Sequence, residues 1–241
     1  MTYNCVLLDF DDTLVSFKES EKVSLTKVYN KYNIPVTEDN IAFYHIENEK
    51  LWREFEKGKI KKKDIERNRF AKIVEKFNLP NVTGEQMNRD YVNYLKNSAI
   101  LIDGAIEFLE DIEDAATIAI VTNGIEHVQQ NRLKLSRVID FADGVFTSEK
   151  VGYNKPDKRI FINALKTLGV ENYKKVLVVG DNLNSDIKGG INAGLDTCWV
   201  NFSQEENTTN INPTYTVYDF TQLKTIILGE DYGNKKDWFF I

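Results

Sequence analysis

Short aliphatic runs alternate with segments of helical periodicity along much of this chain, and this alternation restricts the fold more than any other feature. The aliphatic runs are Cys5 to Leu8, Thr117 to Val121, Gly144 to Ser148, Lys175 to Gly180 and Thr197 to Val200. Helical spacing joins Ile106, Leu109 and Ile112, and likewise Phe161, Leu165 and Leu168. Apolar strands that alternate with amphipathic helices form a parallel sheet covered on both faces. The sequence therefore predicts an α/β fold with a doubly wound, Rossmann-like parallel sheet.

Residues 16–96 have a different composition: they are rich in charged residues at helical spacing and poor in β-branched runs. Pro35 and Pro80 divide this block into several predicted helices. We therefore predict a helical domain at 16–96, inserted into a core formed by 1–15 and 97–230. The remaining segment, 231–241, ends on aromatic residues whose role the sequence does not reveal.

Charge and cysteine content bear on partners and on compartment. The formal net charge of −6 argues against a mainly electrostatic grip on nucleic acid or on an anionic membrane. No apolar run approaches the roughly 20 residues that span a bilayer, and we see no secretory leader. The two cysteines, Cys5 and Cys198, lie in apolar runs, which favours buried free thiols. We expect a cytoplasmic protein without nucleic-acid or membrane partners.

Polar residues follow four of the predicted strands, at the edge where open α/β sheets bind ligands. They are carboxylates, a hydroxyl, small turn residues and one ammonium group: Asp9, Asp11, Thr122, Asn123, Gly124, Lys155, Asp181 and Asp186. Converging carboxylates repel one another unless a cation offsets their charge, and Mg²⁺ prefers oxygen ligands. Lys155 and Thr122 would be superfluous for a purely structural metal site, but both suit a bound phosphate. The sequence therefore predicts a Mg²⁺ site that also receives a phosphate.

Phosphate ester hydrolysis is a reaction that these groups could catalyse. A carboxylate nucleophile divides the reaction into two steps through an aspartyl-phosphate, and a second carboxylate then serves as general acid and base. Asp9 and Asp11 are spaced to lie on one side of the strand end. The alternative of a calcium loop is disfavoured, because an EF-hand beginning at Asp9 would need glycine and glutamate where Leu14 and Ser20 stand. His45 and His127 fit no role in this chemistry, and we interpret both as structural or exposed.

Four stretches, "DFDDT", "VTNG", "KPD" and "GDNLNSD", resemble in order the signature motifs of the haloacid dehalogenase-like superfamily. That resemblance implies that the helical block 16–96 is a cap. It implies that Asp9 is the nucleophile, that Asp11 is the general acid/base, and that Thr122 and Lys155 bind the phosphoryl group. It further implies that Asp181 holds Mg²⁺ together with Asp9 and the backbone carbonyl of Asp11. Asp186 would support the metal or Lys155 from behind.

A finer resemblance is to the pyrimidine 5′-nucleotidases of that superfamily, carried by "LWREFEKGKI", "QQNRL" and "SDIKGGINAGLDTCWVN". It implies hydrolysis of pyrimidine nucleoside monophosphates such as dUMP, dTMP and UMP, with Trp52 and Arg53 as candidate substrate contacts. Two alternatives stay open. One is a sugar-phosphate phosphatase or phosphoglucomutase of the same superfamily, and the other is a catalytically silent binding protein.

Overall fold

The structure is a computed structural model that describes residues 2–229, so the predicted tail 231–241 lies outside the described residues. The helices of this range are α1 (Phe17–Lys31), α2 (Glu38–Glu56), α3 (Lys62–Asn68), α4 (Ala71–Lys76), α5 (Gly84–Leu95), α6 (Ala105–Ile112), α7 (Glu126–Leu135), α8 (Ser148–Val151), α9 (Lys158–Thr167), α10 (Lys188–Ala193) and α11 (Phe220–Leu228). The strands are β1 (Cys5–Leu8), β2 (Val15–Ser16), β3 (Ile100–Leu101), β4 (Thr117–Thr122), β5 (Gly144–Thr147), β6 (Val176–Gly180), β7 (Asp196–Val200) and β8 (Tyr215–Val217).

Six strands form one sheet in the order β5-β4-β1-β6-β7-β8, and all neighbouring pairs are parallel. β1 lies inside the sheet, where Leu7 is in register with Ala119 of β4 and Val178 of β6. The predicted α/β fold with a parallel sheet is thus confirmed, and each predicted aliphatic run corresponds to one strand. The edge strand β8 was not predicted.

The core of the sheet explains why its strands read as continuous apolar runs. Alternate residues of adjacent strands, such as Leu7, Val121 and Val178, pack in one buried cluster with Phe161 and Leu165 of α9. A parallel sheet that is covered on both faces buries the side chains of both alternations, so β1 and β6 carry no charged or hydroxyl side chain and β4 carries threonine only at its two ends.

The chain divides into two compact units. The sheet unit contains residues 1–14, 102–122 and 140–241, of which the structure describes 2–14, 102–122 and 140–229. The helical unit contains residues 15–101 and 123–139, and therefore includes α7 as well as the whole predicted cap. Its core joins Leu25 and Tyr29 of α1 to Ile73 of α4 and to Met87 and Tyr91 of α5. That the helical unit acts as a cap remains a prediction.

Two further features complete the description. The short strands β2 and β3 pair antiparallel within the helical unit, with Val15 opposite Leu101 and Ser16 opposite Ile100. Across residues 2–229, none of the helices combines the length and the apolar character needed to cross a membrane.

Candidate active site

Asp9 directly follows β1, near the centre of the sheet. Its backbone N–H donates a hydrogen bond to the carbonyl of Val179 in β6, with an N–O distance of 2.9 Å. The residue is only 8% exposed. The apolar residues that make β1 a buried strand therefore place a carboxylate at the carboxyl edge, where open α/β sheets bind ligands.

Lys155 is almost completely buried, and its ammonium group makes three close contacts. Nζ donates to Oδ1 of Asp9 at 2.5 Å and to the carbonyl of Val121 at 2.8 Å. It also lies 2.6 Å from Oδ1 of Asp186. Burial favours the neutral amine, but the carboxylates of Asp186 and Asp9 outweigh that effect and raise the pKa of Lys155. The lysine therefore stays charged and offsets part of the negative charge around it.

The turn after β6 holds two more carboxylates. Gly180 ends the strand, and a Cβ there would lie 2.3 Å from Cγ of Asp186, so only glycine permits this approach. Asp186 also accepts a 3.1 Å hydrogen bond at Oδ2 from the backbone N–H of Asn182. The backbone carbonyl of Asp181 accepts a 2.7 Å hydrogen bond from Nε1 of Trp199. These contacts fix the turn that carries Asp181 and Asp186.

Carboxylate oxygens of Asp9, Asp181 and Asp186 lie within 4.8 Å of one another. Burial raises the pKa of Asp9 to about 7; the Lys155 ammonium opposes this rise, and the carboxylates of Asp186 and Asp11 add to it. Burial, with the charges of Asp186 and Asp9, likewise raises the pKa of Asp181 well above its usual range. The single positive charge of Lys155 therefore does not balance the negative charges of Asp9, Asp181 and Asp186. A hard divalent cation with oxygen ligands, such as Mg²⁺, fits this donor set.

Asp11 and Thr122 also belong to the sheet unit. Asp11 is partly exposed and lies near enough to Asp9 for its charge to raise the pKa of the Asp9 carboxyl. Thr122 is buried and ends β4, in register with Thr147 of β5. The structure therefore brings Asp9, Lys155, Asp181 and Asp186 together, with Asp11 close by.

Asn123 and Gly124 follow Thr122 in the chain but belong to the helical unit. Within that unit, the backbone of Gly124 packs so tightly against Gln129 that a Cβ on the glycine would lie 2.4 Å from Nε2 of Gln129. Lys62 of α3 donates a 2.8 Å hydrogen bond from Nζ to the carbonyl of Gly124. The loop that was predicted to bind phosphate is therefore held by two helices of this unit.

Arg132 extends this support to a distant part of the helical unit. Its Nη1 donates to Oε1 of Gln129 at 3.0 Å, and its Nε donates to the carbonyl of Ser98 at 2.9 Å. Gln129 and Arg132 are each 1% exposed. We call Gly124, Gln129, Arg132 and Ser98 the loop brace. This role of Gln129 and Arg132 could not be read from the stretch "QQNRL", because a helical glutamine and arginine ordinarily face solvent.

The two predicted substrate contacts on α2 have local partners. Trp52 is partly buried and meets the ring of Phe55 edge-on, with centroids 5.7 Å apart. Arg53 is exposed and forms a 2.5 Å ion pair with Glu49 one turn earlier on the helix. Neither contact reveals a substrate, so the assignment of Trp52 and Arg53 stays a prediction.

Comparison with known proteins identifies close relatives. A family model described as haloacid dehalogenase-like hydrolase matches residues 3–194. The pyrimidine 5′-nucleotidase YjjG of Escherichia coli is 34% identical over 94% of this chain and 99% of its own. The pyrimidine 5′-nucleotidase PynA of Streptococcus pneumoniae is 32% identical over 92% of this chain and 94% of its own.

A third relative has a solved structure. The HAD-hydrolase YfnB of Bacillus subtilis is 34% identical over 93% of this chain and 95% of its own. Its crystal structure, bound to magnesium, matches with a TM-score of 0.88 and covers 94% of this chain and 99% of that one. The fold is therefore shared with this protein over nearly the whole length of both chains.

Proposed function

The chain belongs to the haloacid dehalogenase-like hydrolases, and within that family we propose that it is a Mg²⁺-dependent phosphoric monoester hydrolase acting on pyrimidine nucleoside 5′-monophosphates. The observation that carries the chemistry is the buried cluster in which Lys155 bridges Asp9 and Asp186 beside Asp181. Support for the substrate class comes from two relatives that are named pyrimidine 5′-nucleotidases. This chain matches each of them over more than nine-tenths of its length.

The proposed reaction begins with attack on phosphorus by a carboxylate oxygen of Asp9. Asp11 donates a proton to the leaving nucleoside oxygen as the ester bond breaks, which leaves an aspartyl-phosphate on Asp9. Asp11, now ionised, then takes a proton from water as that water attacks the phosphorus. Inorganic phosphate leaves and Asp9 is regenerated.

Other groups hold the phosphoryl oxygens while charge moves between them. Lys155 supplies a fixed positive charge, and the Thr122 hydroxyl with the N–H groups of Asn123 and Gly124 donates hydrogen bonds. Such donors accelerate the reaction because they are positioned before charge develops in the transition state.

The Mg²⁺ ion would be held by Asp9, Asp181 and the backbone carbonyl of Asp11, with Asp186 supporting Lys155. When bound, the ion supplies positive charge to the carboxylates and to the phosphoryl group. This addition matters for Asp9, because a carboxyl with a pKa of about 7 is only partly ionised at neutral pH. A cation beside it would keep the proposed nucleophile ionised.

A substrate panel tests the proposal against its alternatives. Phosphate release is measured with UMP, dUMP, dTMP, several sugar phosphates and phenyl phosphate, each with Mg²⁺ and with excess chelator. We expect the highest kcat/KM among the natural esters for the pyrimidine nucleotides, and no turnover in chelator. Preference for sugar phosphates would replace the nucleotidase proposal with the sugar-phosphate alternative. Absence of turnover on every ester would favour a silent binding protein.

A further inference from the structure

One peptide of the sheet unit, between Asp181 and Asn182, is held by hydrogen bonds at both of its polar groups. Its carbonyl oxygen accepts a 2.7 Å hydrogen bond from Nε1 of Trp199 in β7. Its N–H donates a 3.1 Å hydrogen bond to Oδ2 of Asp186. A rotation of this peptide would break both hydrogen bonds. We call Trp199, Asp186 and the peptide that they hold the peptide clamp.

The indole ring of Trp199 is itself fixed by its surroundings. It is 7% exposed and packs in one buried cluster with Leu183 and Ile187, which begin and end the helical turn after β6. In the sheet, Trp199 is in register with Gly180, the residue that precedes Asp181. Because an indole N–H can only donate a hydrogen bond, the ring presents one donor in a fixed position to the carbonyl of Asp181.

The peptide clamp is continuous with the charged cluster of the candidate active site. Oδ1 of Asp186, the oxygen that does not hold the peptide, lies 2.6 Å from Nζ of Lys155. That ammonium group donates in turn to Oδ1 of Asp9. A carboxylate oxygen of Asp181 lies within 4.8 Å of those of Asp9 and Asp186. The clamp therefore connects Trp199, which lies outside the cluster, to a carboxylate that would hold Mg²⁺.

The orientation of the clamped peptide determines where the carboxylate of Asp181 can lie. Backbone dihedral angles restrict the rotamers of a side chain, so a fixed backbone at Asp181 limits the positions of its carboxylate. Without a cation, the nearby carboxylates of Asp9 and Asp186 repel it. An unclamped peptide would let the carboxylate move away from them, and Mg²⁺ binding would then have to restore its position at a cost in free energy. The clamp avoids this cost because the ligand is already in place.

We propose that Trp199 is a positioning residue for the Mg²⁺ site, whose indole N–H holds the Asp181 peptide so that the Asp181 carboxylate is placed to bind the ion. This inference rests on the proposed function, because the ion is the one that the proposed hydrolase requires. It assigns to Trp199 a role in metal affinity, without contact to the phosphoryl group or to the nucleoside. Removing a hydrogen-bond partner of a metal ligand commonly weakens metal binding by about 10-fold to 100-fold.

The test removes the indole N–H and leaves the metal ligands unchanged. The main variant is Trp199→Phe, which keeps an aromatic ring in the buried cluster. Because the smaller ring could disturb the fold, a second protein carries β-benzothienylalanine in place of Trp199, in which sulfur replaces the N–H and the ring system keeps its size. The matched control is Ile211→Ala, since Ile211 packs against the same cluster and its aliphatic side chain forms no hydrogen bond. Circular dichroism checks that each protein is folded.

The Mg²⁺ dissociation constant is measured without substrate, from the rise in Tm as Mg²⁺ is added to metal-free protein. We expect both replacements of Trp199 to raise this constant by about tenfold or more. Ile211→Ala should stay within about twofold of the wild type. The Tm of the metal-free proteins does not distinguish the variants, because loss of packing and loss of the hydrogen bond both lower it.

Phosphate release from UMP at increasing Mg²⁺ concentration gives an independent measurement. Trp199→Phe should lose about tenfold or more in rate at low Mg²⁺ and should recover as the ion approaches saturation. Mass action predicts this recovery for a site whose metal affinity alone has changed. A loss of rate that persists at saturating Mg²⁺, with an unchanged dissociation constant, would contradict a role in metal affinity.

The contrary outcomes separate this inference from the proposed function. An unchanged Mg²⁺ dissociation constant in a folded replacement of Trp199 would overturn the inference, and a wild type that still hydrolyses UMP would leave the proposed function standing. An equal increase in Ile211→Ala would also overturn it, because packing would then explain the effect. A wild type that binds no Mg²⁺ would overturn both. A wild type that binds Mg²⁺ with the expected dependence on Trp199, but releases no phosphate from UMP, would overturn the proposed function alone.

Discussion

At the scale of single residues, Lys155 is the side chain that compensates the negative charge of the buried carboxylates in the candidate active site. It contacts Asp9 and Asp186 while all three side chains are nearly excluded from solvent. A buried ion pair contributes little when compared with apolar residues, but removing one partner leaves an uncompensated buried charge. The lysine is therefore required structurally as well as for the proposed chemistry.

Lys155→Met tests that requirement. We expect it to lower the free energy of unfolding by about 3–5 kcal/mol, measured by denaturant titration in chelator at neutral pH. Lys158→Met, which alters an exposed lysine at the start of α9, serves as the control and should change stability by less than about 0.5 kcal/mol. A Lys155→Met protein as stable as the control would show that the buried carboxylates of Asp9 and Asp186 do not need the charge of Lys155.

Asp181 gives a second prediction, which depends on pH. A carboxyl whose pKa is raised in the folded protein contributes stability at low pH, and this contribution is lost as the pH rises through the raised pKa. Since the pKa of Asp181 is raised, ionising it in the metal-free protein opposes folding. Asp181→Asn should therefore have a higher Tm than the wild type in chelator, with a larger difference at pH 8 than at pH 5.

Added Mg²⁺ provides the control for this comparison. The ion stabilises the protein that binds it, so it should raise the Tm of the wild type more than that of Asp181→Asn. A wild type that is more stable than the variant at pH 8 in chelator would mean that Asp181 is already compensated without a cation.

At the scale of secondary-structure elements, the loop brace connects α7 to the segment before β3. Arg132 makes its hydrogen bonds within the helical unit, to the buried Gln129 and to the partly buried carbonyl of Ser98. Arg132→Met should lower the free energy of unfolding by about 2–4 kcal/mol, because it removes this donor from the buried Oε1 of Gln129 and from the partly buried carbonyl of Ser98. Denaturant titration measures this loss.

Lys134→Met is the matched control, since Lys134 is an exposed residue of the same helix. It should change stability by less than about 0.5 kcal/mol. Equal effects of the two substitutions on the free energy of unfolding would show that the hydrogen bonds of Arg132 do not stabilise the helical unit.

Elements with strong local patterns were predictable from the sequence, and elements defined by distant contacts were not. β1 and β6 were evident because buried parallel strands need continuous apolar runs. β8 was missed because it has three residues and no such run, and it pairs at the edge of the sheet. The loop brace was missed because Arg132 and its partner Ser98 are 34 residues apart in the chain.

The same distinction applies to the candidate active site. Asp9, Thr122, Lys155 and Asp181 could be proposed because parallel strands bring their carboxyl ends to one edge. The contact of Lys155 with the Val121 carbonyl depends on three-dimensional packing that no motif encodes. Gly180 is part of a quoted motif, but the reason for it, the close approach of Asp186, is visible only in the structure. The pairing of His45 with Glu21 could not be predicted, because the two residues lie on different helices.

At the scale of the whole molecule, we propose that the sheet unit carries the chemistry, while selection of the leaving group by the helical unit remains a prediction. The clustered carboxylates and Lys155 belong to the former, whereas the predicted substrate contacts Trp52 and Arg53 belong to the latter. Residues that bind only a phosphoryl group cannot distinguish a nucleotide from a sugar phosphate. Selection among esters must therefore come from residues outside the cluster.

We propose that Asp9 is the nucleophile of a pyrimidine nucleotidase, and phosphate release from UMP is the assay that checks this role. The measurement compares the wild type, Asp9→Asn and Asp12→Asn with Mg²⁺, after circular dichroism has shown that all three are folded. We expect the wild type to release phosphate, Asp9→Asn to lose more than about a thousandfold in kcat, and the neighbouring control Asp12→Asn to stay within about tenfold. An Asp9→Asn enzyme within about tenfold of the wild type would contradict the account.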